Sequence, residues 1–183
     1  MQIRRLVPAD APAYQALRLA ALRESPAAFS ASYEDECGTP LPAIEAHMAP
    51  DSGRYRFGAF DGDALVGVVG VGRESGYKLH HKAFVGGMVV APAWRKQGVG
   101  RQLLAHALAF ADAMPGLRQV TLTITAGNAP ALALYASMGF CVFGQEPRAL
   151  CVGGQFHDTI YMLREVTTGA AGDRCAPAAP CSP

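Results

Sequence analysis

The chain of 183 residues is long enough for one domain with a sizeable core. Half of its residues are hydrophobic and 17% are charged, which is typical of a globular protein rather than a disordered one. A formal net charge of +1 argues against a general nucleic-acid surface, and the longest apolar run, Ala64 to Gly72, is too short to cross a bilayer.

The N-terminal residues predict a strand followed by a helix. The strand covers Gln2 to Leu6 and is stopped by Pro8. Asp10 is a good N-cap, and Pro12 falls in the first turn of the helix. Helical spacing places three side chains on one face of it, namely Tyr14, Leu17 and Ala21.

The next part of the chain is predicted to be irregular before a β-hairpin begins. Ser25 to Pro42 has no clear period and carries an acidic cluster, and a short helix is expected over Ile44 to Met48. Tyr55 to Phe60 and Leu65 to Val71 read as two strands. The turn Asp61-Gly62-Asp63 joins them into a hairpin.

A further strand and helix flank a glycine-rich turn. The strand is expected from about Ala83 to Val90, and the helix from Val99 to Ala111. Gly86-Gly87 interrupts the strand, and glycines there mark a bulge or a close backbone approach. The bulge would let this strand diverge from its neighbour and open a slot; simple packing is the alternative interpretation.

The last third of the chain predicts a strand, a helix and two more strands. Val120 to Ile124 alternates with threonines at period two, and Asn128 caps a helix that Gly139 ends. Strand-like runs follow at Phe140 to Phe143 and Phe156 to Leu163. The sequence therefore predicts one domain over residues 1–165, of mixed α/β (α+β) class, and a disordered tail over residues 166–183.

The glycine-rich turn is the feature with the clearest chemistry. A helix that begins after glycines leaves backbone N–H groups unpaired, and the helix dipole adds partial positive charge at the same place. Full charges surround the turn because Arg95, Lys96 and Arg101 lie in or beside it. These properties predict a site for phosphate or pyrophosphate; an ordinary helix start is the alternative.

Two common phosphate loops are excluded by spacing. A P-loop needs Lys-Ser/Thr after its last glycine, whereas Gly100 is followed by Arg101 and Gln102. A dinucleotide fingerprint needs a third glycine where this chain has Leu103. What remains is Arg-x-x-Gly-x-Gly between a strand and a helix.

That motif is followed in order by Asn128-x-x-Ala-x-x-Leu-Tyr135-x-x-x-Gly139-Phe140, and together they resemble the GNAT superfamily of acetyl-CoA-dependent N-acetyltransferases. The resemblance covers roughly residues 1 to 164. It implies a central mixed sheet splayed at a cofactor slot and flanked by helices. The stretch from Glu146 to Leu150 resembles one bacterial branch, but Phe156-His157 replaces that branch's two tyrosines.

The resemblance also assigns the cofactor-binding residues. Backbone N–H groups from Gln97 to Arg101 would hold the coenzyme A pyrophosphate, and the strand before the turn would pair with the pantetheine arm. Acetyl-CoA is then a co-substrate, and no metal is expected. The implied cofactor-binding residues are Met88, Val89, Val90, Arg95, Lys96, Gln97, Gly98, Val99, Gly100, Arg101 and Asn128, although Asn128 already has a role as an N-cap.

The same resemblance makes Tyr135 the catalytic candidate. An amine would attack the thioester directly in a ternary complex, and N–H groups near Val89 would stabilise the oxyanion. Tyr135 would protonate the departing thiolate, since a tyrosine of pKa about 10 is protonated at neutral pH. A core tyrosine on an amphipathic helix is the alternative interpretation.

The general base is not identified by the sequence. An alkylamine is neutral in only about one molecule in two thousand at pH 7, so the site must help to remove its proton. Many family members carry a glutamate on the strand equivalent to Ala83–Val90, and this chain has none there. The candidates are Glu34, Glu36, His80, His81, Glu146, Asp158 or a group that acts through water. Glu34 and Glu36 are alternatively sites that attract a cationic substrate, or a solvated acidic loop.

The acceptor is expected to be a small-molecule or peptide amine. A non-catalytic module that binds or senses acyl-CoA is the alternative function, motivated by the missing strand glutamate, and a protein–protein module is a third. A homodimer is compatible with the sequence, which does not determine the oligomeric state.

Cysteine usage and the N-terminus bear on the compartment. Five cysteines show no metal-binding spacing, which fits free thiols in a reducing compartment, and they are Cys37, Cys141, Cys151, Cys175 and Cys181. Residues 1–8 lack the apolar segment of a secretory signal. A cytoplasmic protein is therefore expected.

Overall fold

A computed structural model describes residues 1–49 and 53–166 of the chain. The strands are β1 (Gln2–Arg5), β2 (Arg54–Asp61), β3 (Ala64–Arg73), β4 (Lys82–Val90), β5 (Gln119–Thr125), β6 (Cys141–Val152) and β7 (Gln155–Glu165). The helices are α1 (Ala11–Glu24), α2 (Tyr33–Glu36), α3 (Leu41–Met48), α4 (Val99–Asp112) and α5 (Ala129–Ala136). Within the described residues, no helix is long and apolar enough to span a membrane.

The strands form one mixed sheet in the order β1-β2-β3-β4-β5-β7-β6. Every neighbouring pair is antiparallel except β4 and β5, which are parallel and are connected through α4. Helix α4 packs on one face of the sheet, against β2, β3 and β4, and α1 packs against β3 and β4. The mixed α/β domain with helices beside a splayed sheet is as the sequence predicted.

The two faces of the sheet bury separate apolar clusters. Leu103, Leu104 and Ala107 from α4 are fully buried beside strand residues such as Val69 and Val120. This inward face follows the helical period of the sequence, so burial of α4 stabilises both the helix and the sheet under it. The smaller second cluster is formed by Leu6, Ala11, Ala21, Ile44, Met48, Phe60, Val68 and Val89.

Several local predictions need correction. The segment from Ser25 to Pro42 is not wholly irregular, because it contains a 3-10 turn at Pro26–Ala28 and the one-turn helix α2. Ser32 caps α2 by accepting a hydrogen bond from the Asp35 N–H at 3.1 Å. The acidic cluster of the sequence is therefore helical.

Other boundaries also differ from expectation. Strands β6 and β7 are longer than predicted because they pair with each other across a bulge that absorbs Pro147. Asp10 precedes α1 as expected but does not cap it, because its carboxylate accepts from Arg4 at 2.6 and 2.8 Å and from the Val7 N–H at 2.8 Å. Val166, predicted to start the tail, is buried and donates its N–H to the Arg118 carbonyl at 2.8 Å. The remainder of the predicted tail, residues 167–183, lies outside the described residues.

The glycine pair in β4 forms the expected bulge. The register between β3 and β4 shifts so that Gly70 faces Gly86 while Val68 faces Val89, which leaves one extra residue on β4. Gly87 has a φ of +61°, in the left-handed region that favours glycine. The bulge redirects the second half of β4, as a bulge with a left-handed glycine does.

We expect Gly87→Ala to lower the free energy of unfolding by about 1–2 kcal/mol, because alanine is strained at positive φ. Gly86→Ala is the matched control: neither glycine has a heavy atom within 4 Å of an added Cβ, and only Gly87 has a positive φ. The control should change stability by less than about 0.5 kcal/mol. Denaturant unfolding of the two variants measures the difference, and equal values would show that the bulge conformation is not strained by a side chain.

Candidate functional site

Strands β4 and β5 separate beyond their first residues. They pair only at Lys82–Gln119, Ala83–Val120 and Phe84–Thr121. After Phe84 the bulge turns β4 away, and the remaining residues of the two strands do not pair with each other. This confirms the splay that the glycine pair predicted, and it leaves one edge of β4 without a strand beside it.

A cleft of about 540 Å³ lies at the end of β4, against the first turns of α4 and α5 and the last turn of α1. Its walls are mainly apolar, with contributions from Trp94, Leu134 and Phe29. Eight of the residues predicted to bind the cofactor line it, namely Met88, Val89, Val90, Arg95, Lys96, Gly98, Val99 and Gly100. The structure therefore brings the strand and the glycine turn to one cavity.

The glycine turn has the geometry of an anion site. Gly98 is the N-cap of α4 with a φ of +80°, and no side chain caps the helix. The first intrahelical bond of this turn runs from the Gln102 N–H to the Gly98 carbonyl at 3.0 Å. The N–H groups of the first turn are therefore available to a ligand, at the positive end of the helix dipole.

Arg95 fixes the turn across the cleft. Its guanidinium donates to the Glu24 carboxylate, with an Nη1–Oε1 distance of 2.8 Å, and its Nε donates to the Val90 carbonyl at 3.0 Å. Hydrogen bonds from Arg95 hold the pKa of Glu24 below its ordinary value. Arg95 therefore connects α1 to the glycine turn, and its charge is already paired with a carboxylate.

Three other predicted residues have partners outside the cleft. Gln97 donates its side-chain amide to the Ala93 carbonyl at 2.8 Å, and Arg101 donates to Ser137 Oγ at 2.9 Å. Asn128 caps α5 by accepting from the Ala131 N–H at 3.2 Å. Their side chains thus have structural roles, while the backbone N–H of Arg101 still belongs to the first turn of α4.

Hydrogen bonding decides which strand N–H groups face the cleft. Ala91 donates its N–H to the Val66 carbonyl of β3 at 2.9 Å, and Val89 is paired with Val68. Since alternate residues of a strand point their N–H groups to opposite sides, the Val89 N–H faces β3 and the Val90 N–H faces the cleft. Of the N–H groups near Val89, the one that the structure turns toward the cleft is therefore that of Val90.

Tyr135 is buried in the core beside the cleft. It is 7% exposed, and its ring packs edge-on against Phe140 with centroids 5.9 Å apart. Burial raises the pKa of Tyr135 to about 12. On its helix, the residues that line the cleft are Pro130, Ala131 and Leu134.

The raised pKa gives Tyr135 a measurable effect on stability. The folded protein keeps the phenolic proton between pH 10 and about 12, where the unfolded chain has lost it. Stability from this group is therefore complete below about pH 10 and is lost as pH rises through that window. Between about pH 9 and pH 12 the wild type should lose about 2–3 kcal/mol more than Tyr135→Phe. Urea unfolding at both pH values measures this, and equal losses would contradict it.

The acidic cluster divides between two places. Both oxygens of Glu36 accept from Arg18, with a shortest distance of 2.8 Å to Nη2, and the pair lines cavities beside the bulge. Glu34 lines a separate groove formed with the β6–β7 hairpin. The structure therefore does not bring the two predicted substrate-binding glutamates to a single site, and Glu36 is already paired.

The other candidate bases lie in different parts of the domain, and two of them already have hydrogen-bond partners. Glu146 accepts a hydrogen bond from the Tyr161 hydroxyl, and Tyr161 lines the slot between β4 and β5. Asp158 accepts from Gln145 and from the Arg148 N–H, which hold the pKa of Asp158 below its ordinary value. His80 and His81 precede β4, at the end of the strand opposite to the cleft.

The described residues hold no group of three or more His, Cys, Asp or Glu that could bind a metal ion. Cys37, Cys141 and Cys151 are free thiols, and the other two cysteines lie outside the described residues.

Sequence reasoning missed two residues of α1 that reach these cavities. Glu24 pairs with Arg95, and Arg18 pairs with Glu36. Arg18 lies three and four positions before the buried residues Ala21 and Leu22, so it falls on the inward face of the helix. An arginine inside an apolar stripe was the available signal. Glu24 had none, because its partner is 71 residues away.

Comparison with known proteins adds family relationships. The model of the acetyltransferase (GNAT) family matches residues 16–140. An uncharacterized Mycobacterium leprae protein, ML0378, is 36% identical over 126 residues, which are 69% of this chain but 33% of that protein. The N-alpha-acetyltransferase RimI of Mycobacterium tuberculosis is 36% identical over 63% of this chain and 69% of its own length. The L-amino acid N-acetyltransferase AaaT of Escherichia coli is 28% identical over 57% and 63%, respectively.

Solved structures show the same fold. A GNAT-family acetyltransferase from Streptococcus pneumoniae superposes with a TM-score of 0.81 at 24% identity, covering 90% of this chain and 99% of the other. The acetyltransferase yncA from Salmonella typhimurium, solved with acetyl-CoA, superposes with a TM-score of 0.77 at 24% identity, covering 96% and 99%. Acetyl-CoA is the cofactor of this family. With its splayed sheet, its uncapped glycine turn and a family match over residues 16–140, the chain belongs to the GNAT acetyltransferase family.

Proposed function

We propose that this protein transfers the acetyl group of acetyl-CoA to a primary amine by direct attack within a ternary complex. The observation that carries the proposal is the uncapped first turn of α4 beside the unpaired edge of β4, both on one apolar cleft. Family membership supports acetyl transfer as the reaction class. The names of two relatives, one acting on L-amino acids and one on N-terminal amines, support an amine as the acceptor.

The residues of the cleft fit the parts of the cofactor. The first-turn N–H groups of α4 suit a pyrophosphate, and the Lys96 backbone at φ +60° shapes the turn around it. The apolar wall of Val90 and Leu134 suits the pantetheine arm, and the unpaired edge of β4 offers it backbone groups. Acetyl-CoA supplies the thioester carbonyl that an amine attacks. The Val90 N–H is the donor for negative charge on that oxygen.

Tyr135 is proposed to donate a hydrogen bond to the leaving sulfur. With a pKa of about 12 the phenol stays protonated at all physiological pH values. Complete proton transfer to a thiolate of ordinary pKa about 8.5 is uphill by roughly 5 kcal/mol. The buried phenol therefore acts chiefly by stabilising the developing thiolate, and solvent completes the protonation.

Removal of the amine proton falls to a group near the slot. Glu36 and the Tyr161–Glu146 pair each place a carboxylate or a hydroxyl at the edge of these cavities. Either could accept the proton directly or through a water molecule. Separate Glu36→Gln and Glu146→Gln variants would identify the base, because only its loss should remove the acidic limb of the pH–kcat/KM profile.

The proposed function is tested by thiol release from acetyl-CoA over a panel of amino acids, polyamines, aminoglycosides and peptide N-termini. Calorimetry with acetyl-CoA is run in parallel. Turnover with at least one amine supports the transferase. Tight acetyl-CoA binding without any turnover would favour the sensing module that the missing strand glutamate motivates. If the protein neither binds acetyl-CoA nor turns over any amine, the proposal fails, and the remaining function is a protein–protein module with the same fold.

A further inference from the structure

Arg18 is an arginine of α1 whose guanidinium has a carboxylate partner on one edge and no hydrogen-bond partner, among the described residues, at Nη1. The residue is 8% exposed. Its Nε and Nη2 donate to Glu36 at 3.0 and 2.8 Å, and its guanidinium carbon lies 4.7 Å from the centroid of the Phe29 ring. One edge of the planar group is therefore paired with a carboxylate, while Nη1 occupies the opposite corner.

Nη1 of Arg18 is buried and has no hydrogen-bond partner among the described residues. A charged donor left unpaired in the interior is costly, and native structures seldom keep one without a use. The cation–π contact with the face of the Phe29 ring offsets only a small part of the cost of burying this donor. A carboxylate oxygen or another anionic group is the partner that this corner of the guanidinium lacks.

Arg18 lies beside the β4 bulge, among cavities that adjoin the cofactor cleft. It lines two small cavities, of about 210 and 220 Å³, and also the slot of about 610 Å³ between β4 and β5. Gly86 and Gly87 line both the slot and the first small cavity. Phe29 lines both the slot and the cofactor cleft. The cavities thus adjoin, and Arg18 is where a group attached to the acceptor amine would lie.

The charges around these small cavities also favour an anion. Three arginines line both of them (Arg18, Arg54 and Arg56), against one carboxylate, Glu36. Both oxygens of Glu36 already accept from Arg18. The acidic cluster therefore does not make this site attractive to a cation, which was one interpretation of the sequence.

We infer that the acceptor is a small amino-carboxylic acid whose carboxylate binds Nη1 of Arg18 while its amine faces the slot. The inference rests on the proposed function and names its substrate class. A carboxylate close to an amine occurs in a free amino acid and also in a peptide with an acidic residue near its N-terminus. Two of the cavities that Arg18 lines are small, about 210 and 220 Å³, and they suit a carboxylate held next to the amine. We therefore assign the acceptor to the free amino acid, and the acidic peptide is the other outcome of the test.

The test compares acceptors that differ only in the carboxylate. L-amino acids with small, thioether and aromatic side chains are each assayed beside their primary amides, with dipeptides carrying Asp at the second position as a further arm. The best free amino acid should exceed its own amide in kcat/KM by at least about 30-fold. Equal values for acid and amide would show that Nη1 contacts only water, and would overturn the inference. Preference for the acidic dipeptides would overturn the assignment to a free amino acid.

Substitution of Arg18 links that preference to one side chain. Arg18→Gln should reduce the acid-to-amide ratio of kcat/KM to about one; the ratio is the readout because Arg18 also positions Glu36, a candidate base, so both values can fall together. Because Arg18→Gln leaves Glu36 unpaired, the double variant Arg18→Gln/Glu36→Gln removes both charges together. Its readout is again the acid-to-amide ratio, since loss of a candidate base lowers the turnover of acids and amides alike. If neither variant folds, Arg18→Lys keeps the charge without the fork and should lower the preference by about tenfold. An undiminished preference in any folded variant would contradict the assignment.

A binding measurement separates this inference from the proposed function. N-acetyl-L-amino acids carry the carboxylate but no reactive amine, so their binding does not depend on turnover. With coenzyme A present, they should raise the Tm of the wild type more than their amides do, and the difference should vanish in Arg18→Gln. If no amine is turned over, this difference still reports the carboxylate site. If amines are turned over but the difference is absent, only the carboxylate inference fails.

Discussion

Replacement of Gly100 by aspartate is expected to abolish cofactor binding while the fold is kept. An added Cβ at Gly100 would meet only Leu134 and Val90, each at 3.7 Å, which is ordinary contact. An aspartate in the first turn of a helix is favourable for the helix itself. Its carboxylate would occupy the place proposed for the pyrophosphate, where like charges about 4 Å apart repel by about 4 kcal/mol at an effective dielectric constant of 20. We expect Kd for acetyl-CoA to rise by about 100-fold or more.

Gly100→Asn is the matched control because asparagine has nearly the same shape without the charge. Any loss shared by both variants is steric, and the difference between them measures repulsion of an anion. Calorimetry with acetyl-CoA gives both Kd values, and thermal unfolding without cofactor confirms that the two variants are folded. Equal Kd values would show that no anionic part of the cofactor lies at the start of α4.

Tyr135→Phe is expected to lower kcat by about 100-fold or more with little change in Kd for acetyl-CoA. The substitution removes one oxygen and keeps the ring that packs on Phe140, so the core should remain intact. Because the phenol has a pKa of about 12, no limb of the wild-type pH–rate profile below about pH 11 belongs to Tyr135. The loss in kcat should therefore be the same at every pH between about 6 and 10.

Tyr161→Phe is the companion variant, because this second tyrosine lines the slot and donates to Glu146. If Tyr161 only orients a base, its loss should change the pH profile more than the maximal rate. Unchanged turnover in Tyr135→Phe, together with a large loss in Tyr161→Phe, would contradict the role of Tyr135 and would assign the hydrogen bond to the leaving sulfur to Tyr161 of β7 instead. Rapid-quench measurement of a single turnover separates the chemical step from product release in both variants.

The elements of this protein are mostly local in origin. The period of α4, the alternation of β5 and the hairpin turn between β2 and β3 each depend on neighbouring residues, and all three were predicted. The glycine turn was also predicted from the sequence. The N-cap of α4 has a left-handed backbone, which favours glycine, and the helical pattern begins at the next residue. The bulge in β4 followed from Gly86-Gly87 for the same reason.

Errors occurred where a long-range partner competes with local preference. Asp10 precedes a helix, yet its carboxylate binds Arg4 on the neighbouring strand. β6 and β7 extend beyond their apolar runs because each supplies hydrogen bonds to the other. The sequence left Glu36 as a candidate base, an attractor of a cationic substrate or part of a solvated loop, and it did not indicate the pairing with Arg18, which is 18 residues away.

What the sequence determined by itself is therefore most of the helices and strands, the glycine turn before α4 and the family motifs, because each depends on a few adjacent residues. Only the tertiary structure decided which charges are already paired, as Arg95 is with Glu24 and Glu36 is with Arg18. It also decided that the Val90 N–H, and not that of Val89, faces the cleft. The physical reason is the same in each case: the free energy of a charge or of a backbone donor depends on partners brought close by folding, and a linear pattern does not contain those distances.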